Sequence, residues 1–261
     1  MQILEIDEVS FVEPDYEIQG AVTTYPIELG WHLDRIDQRH QPLDNRFSSK
    51  YTGRGVDIYV LDSGIRYSHQ VFGGRAQFGG YDDFNGKGED CHGHGTHCAG
   101  LAAGKITGVA YEANIYSIRV LNCQNGGSFA GVIAGINHVT NRRKSSGRPT
   151  IISMSLIGPK SDGVEQALKI ASEAGVVPVV AAGNFRLDAC DYSPSSSSHA
   201  LTVGGTQERG DQLYWFSSSS TSPGTNYGKC VDIFAPGQWI RSAYHLSDDR
   251  LVSMSGTSMA T

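Results

Sequence analysis

The feature that most constrains the fold of this chain is a regular alternation of short apolar strands with helical segments. FAGVIAGINHVTN and DGVEQALKIASEAG have helical apolar spacing, and the runs around them have strand character: GVDIYVLDSG, NIYSIRVLN, PTIISMSL, VVPVVAAGN, ALTVGGT and KCVDIFAPG. Strands that are apolar along their length are typical of parallel sheets covered on both faces. The sequence therefore predicts a three-layer α/β fold, with a mostly parallel sheet between two layers of helices.

Composition narrows the classes of partner. At 261 residues the chain is long enough for one large domain with a substantial core. Its formal net charge of −6 argues against a nucleic-acid partner, because phosphate binding needs a basic surface. The longest apolar runs are too short to cross a bilayer, so no membrane partner is expected. The basic run Asn141–Arg148 is interpreted as a solvated loop between a helix and a strand.

The segment CHGHGTHCAG, Cys91–Gly100, admits two interpretations. If a helix starts near Gly95, then His94, His97 and Cys98 lie on one of its faces. Imidazole and thiolate in that arrangement are zinc ligands. The same arrangement would place a catalytic histidine at the start of a packed helix, and the segment alone does not decide between the two.

Other polar side chains stand where apolar elements end. Asp62 closes one strand, Asn184 follows another, and Ser258 lies at a strand-to-helix turn within SMSGTSMAT. Singly, each has a common structural explanation as a cap or turn residue. Together with His94 they supply a carboxylate, an imidazole, an amide and a hydroxyl. In an open parallel sheet, functional groups meet at the carboxyl ends of the strands.

The motifs YVLDSGI, GHGTHCAG, SMSL, VVAAGN and GTSMAT resemble those of subtilisin-like serine proteases, the subtilase family, and of its proteinase K branch in particular. The chain order Asp62, His94, Ser258 is the order of the subtilisin triad. The resemblance implies that His94 is the general base, Ser258 the nucleophile, Asp62 the group that orients His94, and Asn184 an oxyanion donor. It implies a secreted endopeptidase that forms an acyl-enzyme and needs no cofactor for its chemistry.

The resemblance also assigns the five cysteines. It pairs Cys91 with Cys123 and Cys190 with Cys230, and it leaves Cys98 as a free thiol near the catalytic histidine. Two disulfides with one free thiol suit an oxidising, extracellular compartment. His94 is then better interpreted as a base than as a zinc ligand.

The resemblance divides the chain into two parts. Residues 1–24, with a predicted strand at Ile3–Val12 and a linker that starts at Asp15, resemble the end of an inhibitory prosegment. Such a tail would add as a strand beside the substrate groove until it is cut between about Gly20 and Thr24. Residues 25–261 are the catalytic domain, which is expected to be truncated at its C-terminus, inside the helix that should follow Ser258.

Substrate peptides or proteins are expected to dock in extended form between two backbone segments, through main-chain hydrogen bonds. The residues concerned are Gly126, Gly127, Ser155, Leu156, Ile157 and Gly158. The family usually has glycine where this chain has Ile157. A branched side chain there would narrow the cleft or strain the backbone.

The resemblance further implies a structural calcium ion. Asp232 matches a calcium-binding aspartate, and the carbonyl groups of Ser198 and Ala200 would accompany it. Carboxylate and carbonyl oxygens suit calcium, whereas the alternative is a buried aspartate that caps a loop.

Two other functions remain as alternatives. One is a binding protein that keeps the fold, cleaves itself once and is otherwise weakly active. The other is a zinc hydrolase built on the histidine and cysteine cluster.

Overall fold

The structure, a computed structural model, describes residues 25–26, 30–208 and 224–261. The predicted strand at Ile3–Val12, the proposed cleavage region and most of the predicted linker lie outside the described residues. Within the described part, no helix combines the length and apolarity that a membrane-spanning segment requires.

The helices and strands alternate along the chain as predicted. The helices are α1 (Trp31–Ile36), α2 (His94–Ala103), α3 (Phe129–Ser146), α4 (Asp162–Glu173) and α5 (Thr257–Ala260). The strands are β1 (Tyr25–Pro26), β2 (Arg46–Phe47), β3 (Asp57–Asp62), β4 (Ala76–Asp82), β5 (Asn114–Arg119), β6 (Thr150–Met154), β7 (Gly158–Pro159), β8 (Val176–Ala181), β9 (Tyr192–Ser193), β10 (Leu201–Thr206), β11 (Ile233–Pro236), β12 (Ile240–Ala243) and β13 (Leu251–Met254). Two short 3₁₀ helices lie at Gln70–Phe72 and Ala189–Asp191.

The centre of the fold is a parallel sheet. Among the described residues it has seven strands in the order β11-β10-β8-β6-β3-β5-β4, and each neighbouring pair is parallel. Three short antiparallel pairs, β1–β2, β7–β9 and β12–β13, lie outside it. Because β3 lies well inside the sheet, its carboxyl end opens at the middle of one edge.

The alternation of side chains along β3 fills two cores, one on each face of the sheet. Tyr59 and Leu61 belong to a core cluster formed with residues of α3 and α4. Ile58 and Val60 belong to a second cluster formed with residues of α2. Since successive strand residues point to opposite faces, an all-apolar strand requires cover on both. The predicted three-layer α/β fold is confirmed.

The interpretation of Asn141–Arg148 as a loop is wrong for most of its length, because α3 continues to Ser146. Arginine and lysine are good helix formers, and cations in the last turn interact favourably with the negative end of the helix dipole. Arg143 and Lys144 occupy that turn, and Gly147 ends the helix in a left-handed conformation (φ 68°).

Candidate active site

Four elements converge at one edge of the sheet. Asp62 is the last residue of β3, Asn184 follows the end of β8, His94 begins α2, and Ser258 lies in α5. His94, Asn184 and Ser258 line a single cleft of about 660 Å³, and Asp62 is buried behind His94. The structure therefore brings together the four predicted side chains, which span nearly the whole described chain.

A carboxylate–imidazole pair lies at the base of the cleft. His94 Nδ1 lies 2.7 Å from Asp62 Oδ1 and 2.9 Å from Oδ2. A carboxylate only accepts hydrogen bonds, so Nδ1 carries the proton and neutral His94 has Nε2 as its acceptor. Asp62 is held in turn by the Ser63 backbone N–H, which donates to Oδ1 at 2.7 Å. This arrangement fixes both the tautomer and the direction of the imidazole ring.

The carboxylate also sets the basicity of His94. Burial opposes protonation of the ring, but the adjacent Asp62 carboxylate outweighs it by charge and by hydrogen bonding, so the pKa of His94 is raised above its ordinary value of 6.5. The imidazole is therefore a stronger base than free histidine.

Asp90, which was not among the predicted site residues, holds the loop that leads into His94. Its carboxylate accepts hydrogen bonds from Ser63 Oγ at 2.9 Å and from the backbone N–H groups of Gly93 at 2.8 Å and Thr96 at 2.9 Å. An aspartate followed within a few residues by glycine and preceding a helix is typical of such a turn, and that pattern was present in EDCHGHG.

Thr257, also missed, orients the asparagine. Its backbone N–H donates to Asn184 Oδ1 at 2.9 Å, and its Oγ1 accepts from the Gly183 N–H at 3.2 Å. With Oδ1 bound in this way, Asn184 Nδ2 is the atom left to donate toward the cleft. Ser258 Oγ lies 3.4 Å from the carbonyl oxygen of Ser155, on the opposite wall.

The geometry also bears on the zinc interpretation. Among the residues that the structure describes, the side chains close enough to share a metal ion are Asp62, His94 and Cys98, whose ligand atoms lie within 4.8 Å of one another. His97 is not in this group, because its Nε2 donates to the carbonyl oxygens of Ile240 (3.1 Å) and Val252 (3.0 Å).

Cys98 and His97 both have partners in the core. Cys98 is a buried thiol whose Sγ donates to the carbonyl oxygen of Ser258 at 3.5 Å, and burial raises its pKa well above its usual range. Burial lowers the pKa of His97 to about 4. His97 is therefore a neutral core residue, only three positions from a histidine whose pKa is raised.

Two backbone segments form the walls of the cleft, and all the predicted substrate-binding residues lie on them: Gly126, Gly127, Ser155, Leu156, Ile157 and Gly158. Gly127 has a packing reason to be glycine, because a Cβ atom there would lie 2.2 Å from the carbonyl oxygen of Val120. Leu121, Phe129 and Val132 add apolar side chains to the lining of the cleft, and Phe129 lies directly against Gly158.

The cysteines are arranged as the resemblance implies. Cys91 is bonded to Cys123 and Cys190 to Cys230, with S–S distances of 2.08 and 2.11 Å, and Cys98 is a buried free thiol. The first disulfide joins the loop before His94 to the segment that leads into Gly126. It therefore connects the segment of the general base His94 to the substrate-binding segment of Gly126 and Gly127.

Asp232, the expected calcium-binding carboxylate, lies beside the start of β10. It is exposed, and its Oδ2 accepts a hydrogen bond from the Thr202 N–H at 2.8 Å. Thr202 follows Ala200 by two residues in the chain, and Ser198 precedes Ala200 by two. The alternative of a buried loop cap is wrong as to burial, although the hydrogen bond to the backbone is present.

The fold and the cleft define an α/β protein in which a buried carboxylate–imidazole pair shares a cleft with a serine hydroxyl and an asparagine amide. The profile of the subtilase family matches residues 53–261, most of the chain. The chain belongs to the subtilase family, and the family predicted from its motifs is confirmed.

Individual relatives agree with this assignment. The chain is 44% identical over 255 residues to an extracellular serine proteinase of Thermus sp. (strain Rt41A), covering 97% of this chain and 58% of that protein. It is 44% identical over 233 residues to alkaline serine exoprotease A of Vibrio alginolyticus, covering 88% of this chain and 41% of that protein. The chain thus spans about half the length of these relatives.

A solved structure agrees as well. The crystal structure of a cold adapted subtilisin-like serine proteinase superposes with a TM-score of 0.80 at 40% identity, over 89% of this chain and 81% of that one.

Proposed function

We propose that this subtilase is a secreted serine endopeptidase that hydrolyses peptide bonds through an acyl-enzyme. The observation that carries the proposal is the Asp62–His94 pair, with Nδ1 as the donor, in the same cleft as Ser258 and Asn184. A serine hydroxyl is a weak nucleophile until a neighbouring base accepts its proton. The tautomer of His94 makes its Nε2 that base.

The residues divide the reaction among them. His94 takes the proton of Ser258 as Oγ attacks the carbonyl carbon, and returns it to the leaving amine when the peptide bond breaks. Asp62 stabilises the imidazolium that forms in between. Asn184 Nδ2 donates to the developing oxyanion, a contact whose removal typically lowers turnover 10²- to 10³-fold. Water then attacks the acyl-enzyme by the same proton path.

Secretion is supported by two observations. The two disulfides suit an oxidising compartment, and the Thermus relative is named as extracellular. Maturation by removal of residues 1–24, with the cut between about Gly20 and Thr24 and the prosegment as the chain's own inhibitor, remains part of the proposal. These residues lie outside the described part of the structure.

A structural calcium ion at Asp232 is also proposed. The residues present suit this ion, because the exposed Asp232 carboxylate and the backbone carbonyl groups of Ser198 and Ala200 are hard oxygen ligands. Water would complete the six to eight ligands that calcium takes. The ion would stabilise the loop that precedes β10 and takes no part in the chemistry.

Labelling of the nucleophile tests the proposal. A fluorophosphonate should react with Ser258 in the full-length protein and block hydrolysis of an unstructured protein substrate, while the Ser258→Ala variant should show neither reaction. A chelator should leave the labelling intact. Labelling without hydrolysis of any substrate in trans would instead favour the weakly active binding protein. Loss of activity with a chelator, together with activity that survives the fluorophosphonate, would favour a zinc hydrolase.

A further inference from the structure

The side chain of Ile157 extends from the substrate-binding segment Ser155–Gly158 to the segment that contains Gly183 and Asn184. A methyl group added to Gly183 would lie 2.3 Å from Ile157 Cδ1, closer than real carbon atoms approach. The terminal methyl of Ile157 therefore rests directly against the Gly183 backbone. Gly183 is buried, although Asn184, the next residue, lines the cleft.

The surface under this methyl group is firmly held. Gly183 donates its N–H to Thr257 Oγ1 at 3.2 Å and accepts the Asn226 N–H at 2.8 Å. Asn226 Nδ2 also donates to the carbonyl oxygen of Ala182 at 2.9 Å. Ile157 is β-branched, so few rotamers are open to its side chain. Both the Gly183 backbone and the Ile157 side chain are therefore restrained in position.

The contact lies next to the reacting carbonyl. Attack requires the carbonyl carbon to meet Ser258 Oγ while its oxygen meets Asn184 Nδ2. Ser155, two residues before Ile157, has its carbonyl oxygen 3.4 Å from Ser258 Oγ, and Gly183 directly precedes Asn184. The side chain of the residue that supplies the carbonyl, the P1 residue, branches from the Cα atom bonded to that carbon. The P1 side chain therefore enters the space between the Ser155–Ile157 segment and the Gly183–Asn184 segment.

We propose that Ile157 closes this space, so that the protease selects substrates whose P1 side chain is small, as in glycine, alanine or serine. The inference rests on the proposed function and specifies its substrate class. Leu121, Phe129 and Val132 also line the cleft, and the proposed selection concerns the P1 side chain alone.

The size of the selection follows from the volume that is filled. A single excess methylene in a tight pocket costs roughly 10- to 200-fold in kcat/KM. A leucine or phenylalanine at P1 exceeds alanine by several carbon atoms. We expect a preference for alanine over phenylalanine of about 100-fold or more at P1.

The test is a set of peptides that differ only at P1, with alanine, leucine or phenylalanine, cleaved by the full-length protein and three variants. Ile157→Gly opens the space fully, and Ile157→Ala opens it partly while adding less backbone freedom. Ile106→Gly is the matched control, since Ile106 is an exposed isoleucine that does not line the cleft. Relative to the native protein, the phenylalanine-to-alanine ratio of kcat/KM should rise at least tenfold in Ile157→Gly, by an intermediate factor in Ile157→Ala, and not at all in Ile106→Gly.

The outcomes separate the two proposals. An unchanged ratio in both Ile157 variants, or a native protein that already prefers phenylalanine, overturns the role of Ile157 and leaves the endopeptidase intact. No cleavage of any peptide, together with no fluorophosphonate reaction at Ser258, overturns the proposed function and this inference with it. If Ile157→Gly fails to fold, the ratio in Ile157→Ala decides the question.

Discussion

The two sides of the cleft are built differently. On the catalytic side, Asp62 is fully buried, His94 is held by its carboxylate, and the asparagine amide is held by the backbone of Thr257. On the substrate side, Leu156 and Ile157 are half-buried, and they meet the cleft through apolar side chains. One side is a chain of directional hydrogen bonds, whereas the other is a shaped apolar surface.

The two sides of the cleft should therefore respond differently to substitution. Groups that act on charge developing in the transition state lower kcat when they are removed. Removal of groups that bind substrate and transition state equally raises KM and leaves kcat unchanged. If the proposed function is right, substitutions on the catalytic side should change kcat and substitutions on the substrate side should change KM.

The largest effect tests the carboxylate. Asp62→Asn should lower kcat about 10⁴-fold, because an amide in place of the carboxylate favours the wrong tautomer of His94 and no longer stabilises the imidazolium. Steady-state kinetics on a peptide substrate measures the loss. Asp57→Asn is a matched control: Asp57 is a buried aspartate at the opposite end of β3, paired with Arg148, and its loss should affect stability alone. A comparable fall in kcat in both variants would contradict the assigned role of Asp62.

The same division explains how much could be predicted from the sequence. Asp62, His94, Asn184 and Ser258 could be placed together, because the carboxyl ends of parallel strands share one edge and the motifs name the side chains there. The contact of Ile157 with Gly183 could not, since it depends on how a side chain crosses a space between segments 26 residues apart. Local strand and helix patterns do not encode that distance.

Two smaller differences between prediction and structure have separate causes. Asp90 had a turn signature in the sequence, but its bond to Ser63 Oγ joins two loops and depends on the assembled edge. Most of the basic run Asn141–Arg148 lies in the last turns of α3, and its charge indicates exposure to solvent without distinguishing a helix from a loop. On the exposed last turn of a helix, charged residues with good helix propensity are solvated and helical at the same time.

The next effect tests the amide donor. Asn184→Leu should lower kcat 10²- to 10³-fold with little change in KM, because the donor acts on the oxyanion and contributes little in the ground state. Asn125→Gly is the comparison on the substrate side, since Asn125 also lines the cleft and glycine accepts its positive φ of 61°. Loss of the Asn125 amide should leave kcat unchanged. A larger fall in kcat in Asn125→Gly than in Asn184→Leu would place the oxyanion donor elsewhere.

The pH dependence tests the base itself. Only neutral His94 accepts the serine proton, so kcat/KM should fall about tenfold per pH unit below the pKa of His94, and that pKa should lie above 6.5. The contribution of the Asp62–His94 pair to folding stability has the opposite pH dependence. A raised folded pKa means that the pair stabilises the fold fully below the unfolded pKa, and that this contribution is lost as pH rises through the folded pKa. In Asp62→Asn the apparent pKa of residual activity should move downward, and an unmoved value would show that Asp62 does not control His94.

The smallest effect tests the substrate side away from the reacting bond. Phe129 begins α3, lines the cleft, and covers Gly158 so closely that a methyl group there would lie 2.5 Å from its ring. Phe129→Ala should raise KM up to about tenfold for peptides with an apolar side chain that contacts Phe129. We expect kcat to be nearly unchanged, because apolar burial stabilises the ground and transition states alike. Phe78→Ala, at an exposed phenylalanine of the edge strand β4 outside the cleft, should change neither parameter. A fall in kcat as large as that in Asn184→Leu would mean that the substrate wall also positions the reacting groups, since a surface that binds only by shape does not alter the rate of the bound substrate.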